Sequence, residues 1–152
     1  MARILGYIAT SLDGFIATPE HGLDWLFRHD QLQLGEHDYT LFLQRIRTVV
    51  MGRATYDFLA ADPGPWPYGA QRVLVVTSRP IDDPKGPLET RSDIDALIGE
   101  LRALDELEIY VMPEIIGGGF ALFPATGLQV SPTLLSAKVI EPGCVRMHYR
   151  FD

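Results

Sequence analysis

Cysteine and long apolar runs are what this sequence has least of. Its single cysteine, Cys144, cannot form a disulfide within the chain. The opening residues, MARILGYIAT, are too short and too lightly apolar for a signal peptide or a membrane span. We therefore expect a cytoplasmic protein with no membrane partner.

Positive charge is also scarce, because 13 lysines and arginines stand against 20 aspartates and glutamates, which gives a formal net charge of -7. An acidic surface argues against nucleic-acid binding, although a local basic pocket could hold an anionic ligand. The histidines show no metal-ligand spacing, alone or with Cys144, so we predict no metal site. We interpret them as surface or packing residues; they are His21, His29, His37 and His148.

Composition favours one globular domain over residues 1–152, since 47% of the residues are apolar and 22% are charged. Hydrophobic periodicity predicts strands at residues 3–9, 48–51, 72–77 and 107–112, helices at 36–47, 53–61 and 92–103, and a hairpin of 134–140 with 145–151. Strands that alternate with helices and end in a hairpin indicate an α/β domain. Its sheet would be mostly parallel, with antiparallel strands at one edge.

Two predicted strand ends carry residues that suit a phosphate group. After the first, Gly52 permits close approach of a ligand and Arg53 adds positive charge at a helix N-terminus, which favours a diphosphate. After the second, Thr77, Ser78 and Arg79 suit a phosphate monoester such as the 2′-phosphate of NADP. The alternative is that Gly52 is only a turn residue and Arg53 a solvated charge.

Five blocks resemble, in order, those of dihydrofolate reductase-like proteins. They read YIATSLDGFIA, LDWL, VVMGRATYDFL, VLVVTSRP and DELEIYVMPEIIGGGFALFP. The chain is similar in particular to the branch that contains the reductase domain of the bifunctional riboflavin-biosynthesis deaminase-reductase. The resemblance implies a three-layer α/β/α fold with a mixed, mostly parallel central sheet. It also implies NADPH as the hydride donor and a small heterocyclic substrate of the pyrimidine or pteridine type.

The resemblance further implies which residues would contact the cofactor. Those that would border the nicotinamide are Ala9 and Ile16, with the turn at residues 12–16. Those that would hold the diphosphate are Gly52, Arg53 and Thr55. Those that would surround the adenosine 2′-phosphate are Thr77, Ser78 and Arg79.

The substrate pocket and the proton source each have competing interpretations. Trp25 and Trp66 either wall the substrate pocket or pack in the interior. Asp13 either lies near the reacting ring or caps its own turn. No carboxylate matches the buried acid of true folate reductases, so the proton would come from Asp38, Glu36 or water.

Three consecutive glycines, residues 117–119, follow an apolar run and could form a phosphate-binding turn. Such a turn opens a helix several turns long, whereas this segment reaches Pro124 after about one turn. We interpret the glycines as a structural bend at the pocket or at a dimer edge.

Between residues 102 and 105 the sequence lacks a strand, a Gly-Gly turn and a helix that the resembled proteins have, about 20 residues in all. Either the natural chain has lost this unit or the sequence omits a segment. Loss of a central strand would cost about 1 kcal/mol or more for each buried backbone group left unpaired, which favours omission.

Two functions compete for this sequence. The first is a reductase that depends on the missing unit. The second is a non-catalytic ligand-binding or dimerisation domain that keeps the fold without a working cofactor site. The apolar C-terminal hairpin could support a homodimer in either case.

Overall fold

The computed structural model describes residues 3–93, 96–97, 104–127 and 129–151. They belong to two compact units. The first consists of Met1–Gly35 and Ala103–Asp152, and the second of Glu36–Arg102. The prediction of one domain over residues 1–152, with a unit missing between 102 and 105, stays a prediction.

Strands and short helices make up both units. The strands are β1 (Leu5–Thr10), β2 (Phe15–Ala17), β3 (Thr48–Gly52), β4 (Arg72–Val76), β5 (Glu89–Arg91), β6 (Glu106–Val111), β7 (Phe120–Ala121), β8 (Thr133–Ile140) and β9 (Cys144–Arg150). The helices are α1 (Asp24–Phe27), α2 (Tyr39–Gln44) and α3 (Arg53–Ala61), with a 3₁₀ turn at Gly35–His37. Within the described ranges, every helix is too short or too polar to cross a membrane.

The first unit contains a four-stranded sheet in the order β1-β6-β9-β8. Strand β1 pairs with β6 in parallel, from Leu5 opposite Glu106 to Thr10 opposite Val111. Strand β9 is antiparallel to both β6 and β8, so the predicted C-terminal hairpin is present. Strands β2 and β7 form a separate antiparallel pair. Because β1 and β6 are parallel, their carboxyl ends lie at the same edge of the sheet.

The core of the first unit lies around α1, the carboxyl end of β6 and the amino end of β9. Its buried members are Trp25, Tyr110, Met112, Ile140 and Cys144. The only described residue of α1 that is buried is Trp25, which explains how a helix of four residues can anchor itself to a sheet. Burial raises the pKa of the Cys144 thiol, so it stays protonated and behaves as a small apolar side chain.

A buried ion pair joins β6 to β9. The Tyr110 hydroxyl and Nε of Arg146 each donate to the same Glu108 oxygen at 2.9 Å. Arg146 also donates to the Ser136 hydroxyl at 3.1 Å, which extends the network to β8. Burial on its own raises the pKa of Glu108, but the bonds from Arg146 and Tyr110 outweigh it and hold the pKa below its usual value. The carboxylate therefore stays ionised and paired, the condition under which a buried charge is tolerated.

The second unit contains a three-stranded parallel sheet in the order β3-β4-β5. The central strand β4 has the continuous apolar run that a strand covered on both faces requires, and Val73, Leu74 and Val75 are all buried. Tyr56 from α3 and Tyr68 from the following loop complete the core. The three prolines of that loop exclude helix, as predicted.

The predicted fold class is confirmed, since the chain is a mixed α/β protein with parallel strands and a C-terminal antiparallel hairpin. Helix α3 has the predicted bounds. The helix predicted at residues 36–47 is wrong in extent, because Asp38 takes an extended conformation and its carboxylate caps α2 by accepting from the Thr40 N–H at 2.7 Å. Most of the helix predicted at 92–103 lies outside the described residues. Of the described residues in that range, Ala96 and Leu97 are helical.

Strands β1 and β3 are edge strands in their sheets, as far as the described residues extend. Apolar parallel strands usually lie inside a sheet, so each of these two open edges is compatible with pairing to a further strand. We predict that mass-spectrometric sequencing of peptides from the natively expressed protein finds additional residues between Arg102 and Asp105. A peptide in which Arg102 runs directly into Ala103-Leu104-Asp105 would contradict this and establish a true deletion.

Candidate functional site

The carboxyl ends of β3 and β4 bring the predicted phosphate residues together within the second unit. The two strands are parallel neighbours, with Gly52 opposite Val76. Thr77, Ser78 and Arg79 follow β4 directly, and Arg53 and Thr55 lie in the first turn of α3. Ligands of parallel α/β sheets bind at this edge. The two strand ends predicted from sequence therefore form one candidate site.

Gly52 lies where β3 becomes α3, and nothing in the fold requires it to be glycine. Its φ of -77° is accessible to any residue. A Cβ added there would meet nothing within 4 Å. The N-terminus of α3 has no side-chain cap, so its first N–H groups are available to an anion. A close approach of ligand to backbone explains a glycine here better than a turn does.

Arg53 is held by its own chain. Its Nε donates to the Asp57 carboxylate at 2.7 Å, one helical turn later. Its Nη1 donates to the carbonyl oxygens of Arg79 and Pro80 at 3.4 and 3.1 Å. Arg53 therefore fastens the loop after β4 to α3, which places its positive charge at the candidate site but leaves it little freedom to wrap a phosphate.

Arg79 is the exposed cation of this site. The Thr77 hydroxyl accepts from the Arg79 N–H at 3.0 Å and donates to its carbonyl at 3.2 Å, which fixes the backbone of the turn. Ser78 and Arg79 are exposed. Within the described chain the Arg79 guanidinium has no hydrogen-bond or ion-pair partner. It is the group of this site that is free to bind an anion.

In the first unit, the loop after β1 is tied to the loop after β6. The Leu12 N–H donates to the Glu114 carbonyl at 2.7 Å, and the Leu122 N–H to the Gly14 carbonyl at 3.0 Å. The Asp13 carboxylate accepts from the N–H groups of Ile116 at 3.3 Å and Gly117 at 2.8 Å. The two loops therefore form one cross-linked structure at the carboxyl ends of β1 and β6.

Asp13 holds the glycine segment in place. A bond to the Ser11 hydroxyl, and then those to the Gly117 and Ile116 amides, hold the pKa of Asp13 below its usual value. An ionised acceptor of this kind is a poor proton donor at neutral pH. Asp13 therefore caps a turn, as one of the two sequence interpretations proposed. The turn that it caps is at residues 116–117 and not its own.

The triple glycine forms a bend in which two positions require glycine. Gly117 and Gly119 have φ values of +75° and +148°. A Cβ on Gly119 would collide with the carbonyl oxygen of Ala17, across the β2–β7 pair. The anion that these backbone amides bind is the Asp13 carboxylate of the same chain, so the segment is not a free phosphate cradle.

Trp25 presents an unused hydrogen-bond donor in the first unit. Its side chain is 3% exposed, and its indole Nε1 has no partner within the described ranges. Ala9 and Ile116 pack against the core that contains it. Ile16 is half-buried in β2. A buried N–H without an acceptor is costly, which favours a ligand that supplies one.

Asp38 and Trp66 have structural roles in the second unit. The Asp38 carboxylate caps α2, and Glu36 is exposed beside His37. Trp66 packs edge-on against Tyr68 with ring centroids 5.5 Å apart. Its indole Nε1 is also buried without a partner in the described part of the chain. Their predicted roles toward substrate stay predictions.

One pair of side chains was missed at the level of sequence. His29 and Glu114 are 85 residues apart along the chain, yet Nε2 of His29 lies 3.1 Å from Oε1 of Glu114. No local sequence spacing predicts such a pair, because the fold alone brings the two residues together. No cluster of three or more metal-ligating side chains occurs among the residues that the structure describes.

No family model matches the sequence. A curated relative, protein YwjB of Bacillus subtilis (strain 168), is 27% identical over an alignment of 168 positions, which covers 94% of this chain and 94% of YwjB. Since the present chain has 152 residues, the alignment is longer than the chain. YwjB therefore carries residues at positions where this chain has none.

Solved structures match the whole chain. The "Putative riboflavin biosynthesis protein" from Shewanella sp. PV-4 has a TM-score of 0.78 and 26% identity, covering 100% of this chain and 99% of its own. The Thermotoga maritima diaminohydroxyphosphoribosylaminopyrimidine deaminase/5-amino-6-(5-phosphoribosylamino)uracil reductase has a TM-score of 0.67 and 13% identity. The match covers 99% of this chain but only 56% of that protein.

Dihydrofolate reductase from Enterococcus faecalis, complexed with NADP(H), also matches, with a TM-score of 0.56 and 14% identity, covering 99% of this chain and 96% of that one. Together these matches identify the architecture as the dihydrofolate reductase-like fold. The chain is similar in structure to dihydrofolate reductase-like proteins, among them proteins of riboflavin biosynthesis.

Proposed function

We propose that this protein is an NADPH-dependent reductase that delivers a hydride to a small heterocyclic substrate of the pyrimidine or pteridine type. Its structural neighbours include a uracil-derivative reductase and a dihydrofolate reductase. The observation that carries the proposal is the Arg79 guanidinium, unpartnered in the described chain and exposed beyond the carboxyl end of β4. The proposed location of the enzyme is the cytoplasm, as expected from the sequence.

The second unit fits the phosphates of NADPH. The uncapped α3 N-terminus and the open space at Gly52 suit a diphosphate that approaches the backbone closely. Thr55 is exposed in the first turn of the same helix. Ser78 and Arg79 would bind the 2′-phosphate, while Thr77 and Arg53 hold the turn that presents them. NADPH, when bound, would supply the hydride.

The first unit, taken by itself, fits a small heterocyclic substrate. Ala9 lies near the carboxyl end of β1 and Ile16 lies in β2, the two positions that the family resemblance assigns to ring contacts. The free Trp25 N–H would donate to a carbonyl oxygen or ring nitrogen of the substrate. Pyrimidines and pteridines offer both acceptors, which is why this substrate class suits the site.

The cofactor site is proposed to need the unit missing between residues 102 and 105. The open edges of β1 and β3 and the longer alignment with YwjB support its existence. Without it, the competing function is a ligand-binding or dimerisation domain with no working cofactor site. NADPH binding separates the two, and the intrinsic fluorescence of Trp25 and Trp66 provides the signal.

Arg79→Ala is expected to weaken NADPH binding about 10- to 100-fold, because a charge-assisted bond to a phosphate contributes about 1.5–3 kcal/mol. NADH lacks the 2′-phosphate, so its affinity should change little. The matched control is Arg72→Ala, which removes an exposed arginine from the amino end of the same strand. Fluorescence titration with both nucleotides measures the effect.

Equal losses for NADPH and NADH would remove Arg79 from the 2′-phosphate site. No saturable signal at millimolar NADPH with the unaltered protein would reject the reductase and favour the non-catalytic domain.

Gly52→Thr is expected to affect stability and cofactor binding in opposite directions. A threonine at the N-cap can satisfy the first N–H groups of α3, so the melting temperature should hold or rise. Its side chain would occupy the proposed diphosphate position, so NADPH affinity should fall about tenfold or more, equivalent to about 1.4 kcal/mol. Gly69→Thr is the control, since a Cβ there also meets nothing within 4 Å. Unchanged NADPH affinity in Gly52→Thr would argue for a plain turn glycine.

We also propose that the protein forms a homodimer through β8. Residues 133–139 of this strand are all exposed, on both faces of the sheet. Leu134, Leu135 and Val139 are 51%, 41% and 64% exposed. A long edge strand with apolar side chains on both faces usually needs a covering partner, and a second copy provides a symmetric one.

Sedimentation velocity is expected to detect a dimer that Val139→Glu converts to monomer, because the change buries a charge in the interface. The control is Leu41→Glu, an exposed apolar residue of α2 in the other unit, which should leave the dimer intact. A monomer at all concentrations, or equal dissociation by both variants, would exclude β8 as the interface.

A further inference from the structure

His29 and Glu114 form a half-buried, hydrogen-bonded pair in the first unit. Their side chains are 18% and 22% exposed, and Nε2 of the imidazole lies 3.1 Å from Oε1 of the carboxylate. Arg28 approaches the other carboxylate oxygen at 3.5 Å from a largely exposed position. Glu114 therefore contacts both His29 and Arg28.

The second ring nitrogen of His29 has no protein partner. Nδ1 accepts and donates no hydrogen bond within the described ranges, while Nε2 is directed to Glu114. A carboxylate that binds one imidazole nitrogen fixes the ring's orientation. The other nitrogen is then available to exchange a proton with a ligand.

Glu114 places this pair near the carboxyl ends of β1 and β6. Glu114 lies just after β6, and its carbonyl oxygen accepts from the Leu12 N–H of the loop after β1 at 2.7 Å. Two residues later Ile116 packs against the core around Trp25. The pair is therefore at the carboxyl ends of the parallel strands β1 and β6, where ligands of such sheets bind.

A second pair in the same unit has the same chemistry at the opposite edge. Nε2 of His148 lies 3.0 Å from Oε2 of Glu106, with side chains 18% and 13% exposed. Glu106 is the first residue of β6, so this pair is at the amino end of the strand. The two pairs match in separation and burial of the imidazole and differ in position, which makes His148 a natural control.

We propose that His29, positioned by Glu114, donates the proton that accompanies hydride transfer, an inference that rests on the proposed reductase function. The proton leaves a ring nitrogen of the imidazolium and bonds to the nitrogen or oxygen of the substrate's C=N or C=O group. The carbon of that group receives the hydride, with its electron pair, from NADPH, which is oxidised. The neutral imidazole then takes a proton from water.

The carboxylates considered from sequence fit this role less well. Asp13 is ionised and occupied by the Ile116 and Gly117 amides. Asp38 caps α2. Imidazole is the side chain that serves most often as a general acid, and His29 is the one described histidine that combines a carboxylate partner, a free ring nitrogen and this edge.

The first test observes the ring directly and does not need turnover. Histidine-labelled protein is titrated with NADPH and then with 5-amino-6-(5-phosphoribosylamino)uracil, the compound named for the Thermotoga maritima enzyme, while NMR follows each imidazole. Resonances of His29 are expected to shift on saturation and those of His148 to stay. Spectra of His29→Gln and His148→Gln assign the two rings, and circular dichroism confirms that the variants fold.

The second test uses the rate of NADPH oxidation with the same compound. His29→Gln should lower kcat about 100-fold with little change in KM, the usual size of a lost general acid. Glu114→Gln should lower kcat less, again with little change in KM, since Glu114 acts through His29. His148→Gln should leave both kcat and KM unchanged.

The outcomes separate the inference from the function it rests on. If NADPH binds but His29 does not shift, or His29→Gln and His148→Gln lower kcat equally, the pair is only a tether between α1 and the loop after β6. If NADPH does not bind, the reductase function fails and the inference falls with it. If NADPH binds but this compound is not reduced, the NMR result decides alone.

Discussion

Parallel strand pairing is the constraint on which the candidate sites of this protein depend. Pairing of β1 with β6 and of β3 with β4 places strand carboxyl ends side by side within each unit. The N–H groups of a following helix and the side chains of the following loops then meet at one edge. Without the pairing of β3 with β4, Gly52 and the loop that carries Arg79 would not lie at one edge of a sheet.

The structure divides the polar residues at these edges into those already engaged and those still free. Arg53, Thr77 and Asp13 are engaged, because each uses its side chain to fix a turn of its own chain. Arg79, the Trp25 N–H and one nitrogen of His29 are free within the described residues. The engaged side chains fix the backbone of the candidate sites, and the free groups are available to a ligand. This distinction leads to separate hypotheses about binding, orientation and proton transfer.

Much of the fold follows from local pattern. The apolar run of β4 predicts a buried central strand, and the composition of α3 between Gly52 and a proline gives that helix its observed bounds. Shorter elements escape such reasoning. Strand β5 has three residues and the β2–β7 pair involves a two-residue strand, too few for a period to show. The helix predicted at 36–47 is shortened because the capping bond of Asp38 prevails over an apolar stripe.

The sequence by itself determined the class of fold, the two phosphate-suited strand ends and the structural nature of the triple glycine, because each rests on neighbours within a few residues. The tertiary structure decided what those residues do. It paired the Asp13 carboxylate with the Gly117 amide, which is 104 residues away along the chain. It also joined His29 to Glu114 and left the Trp25 donor unpaired. Hydrogen bonds and burial depend on distances in space, and chain spacing does not encode them at such separations.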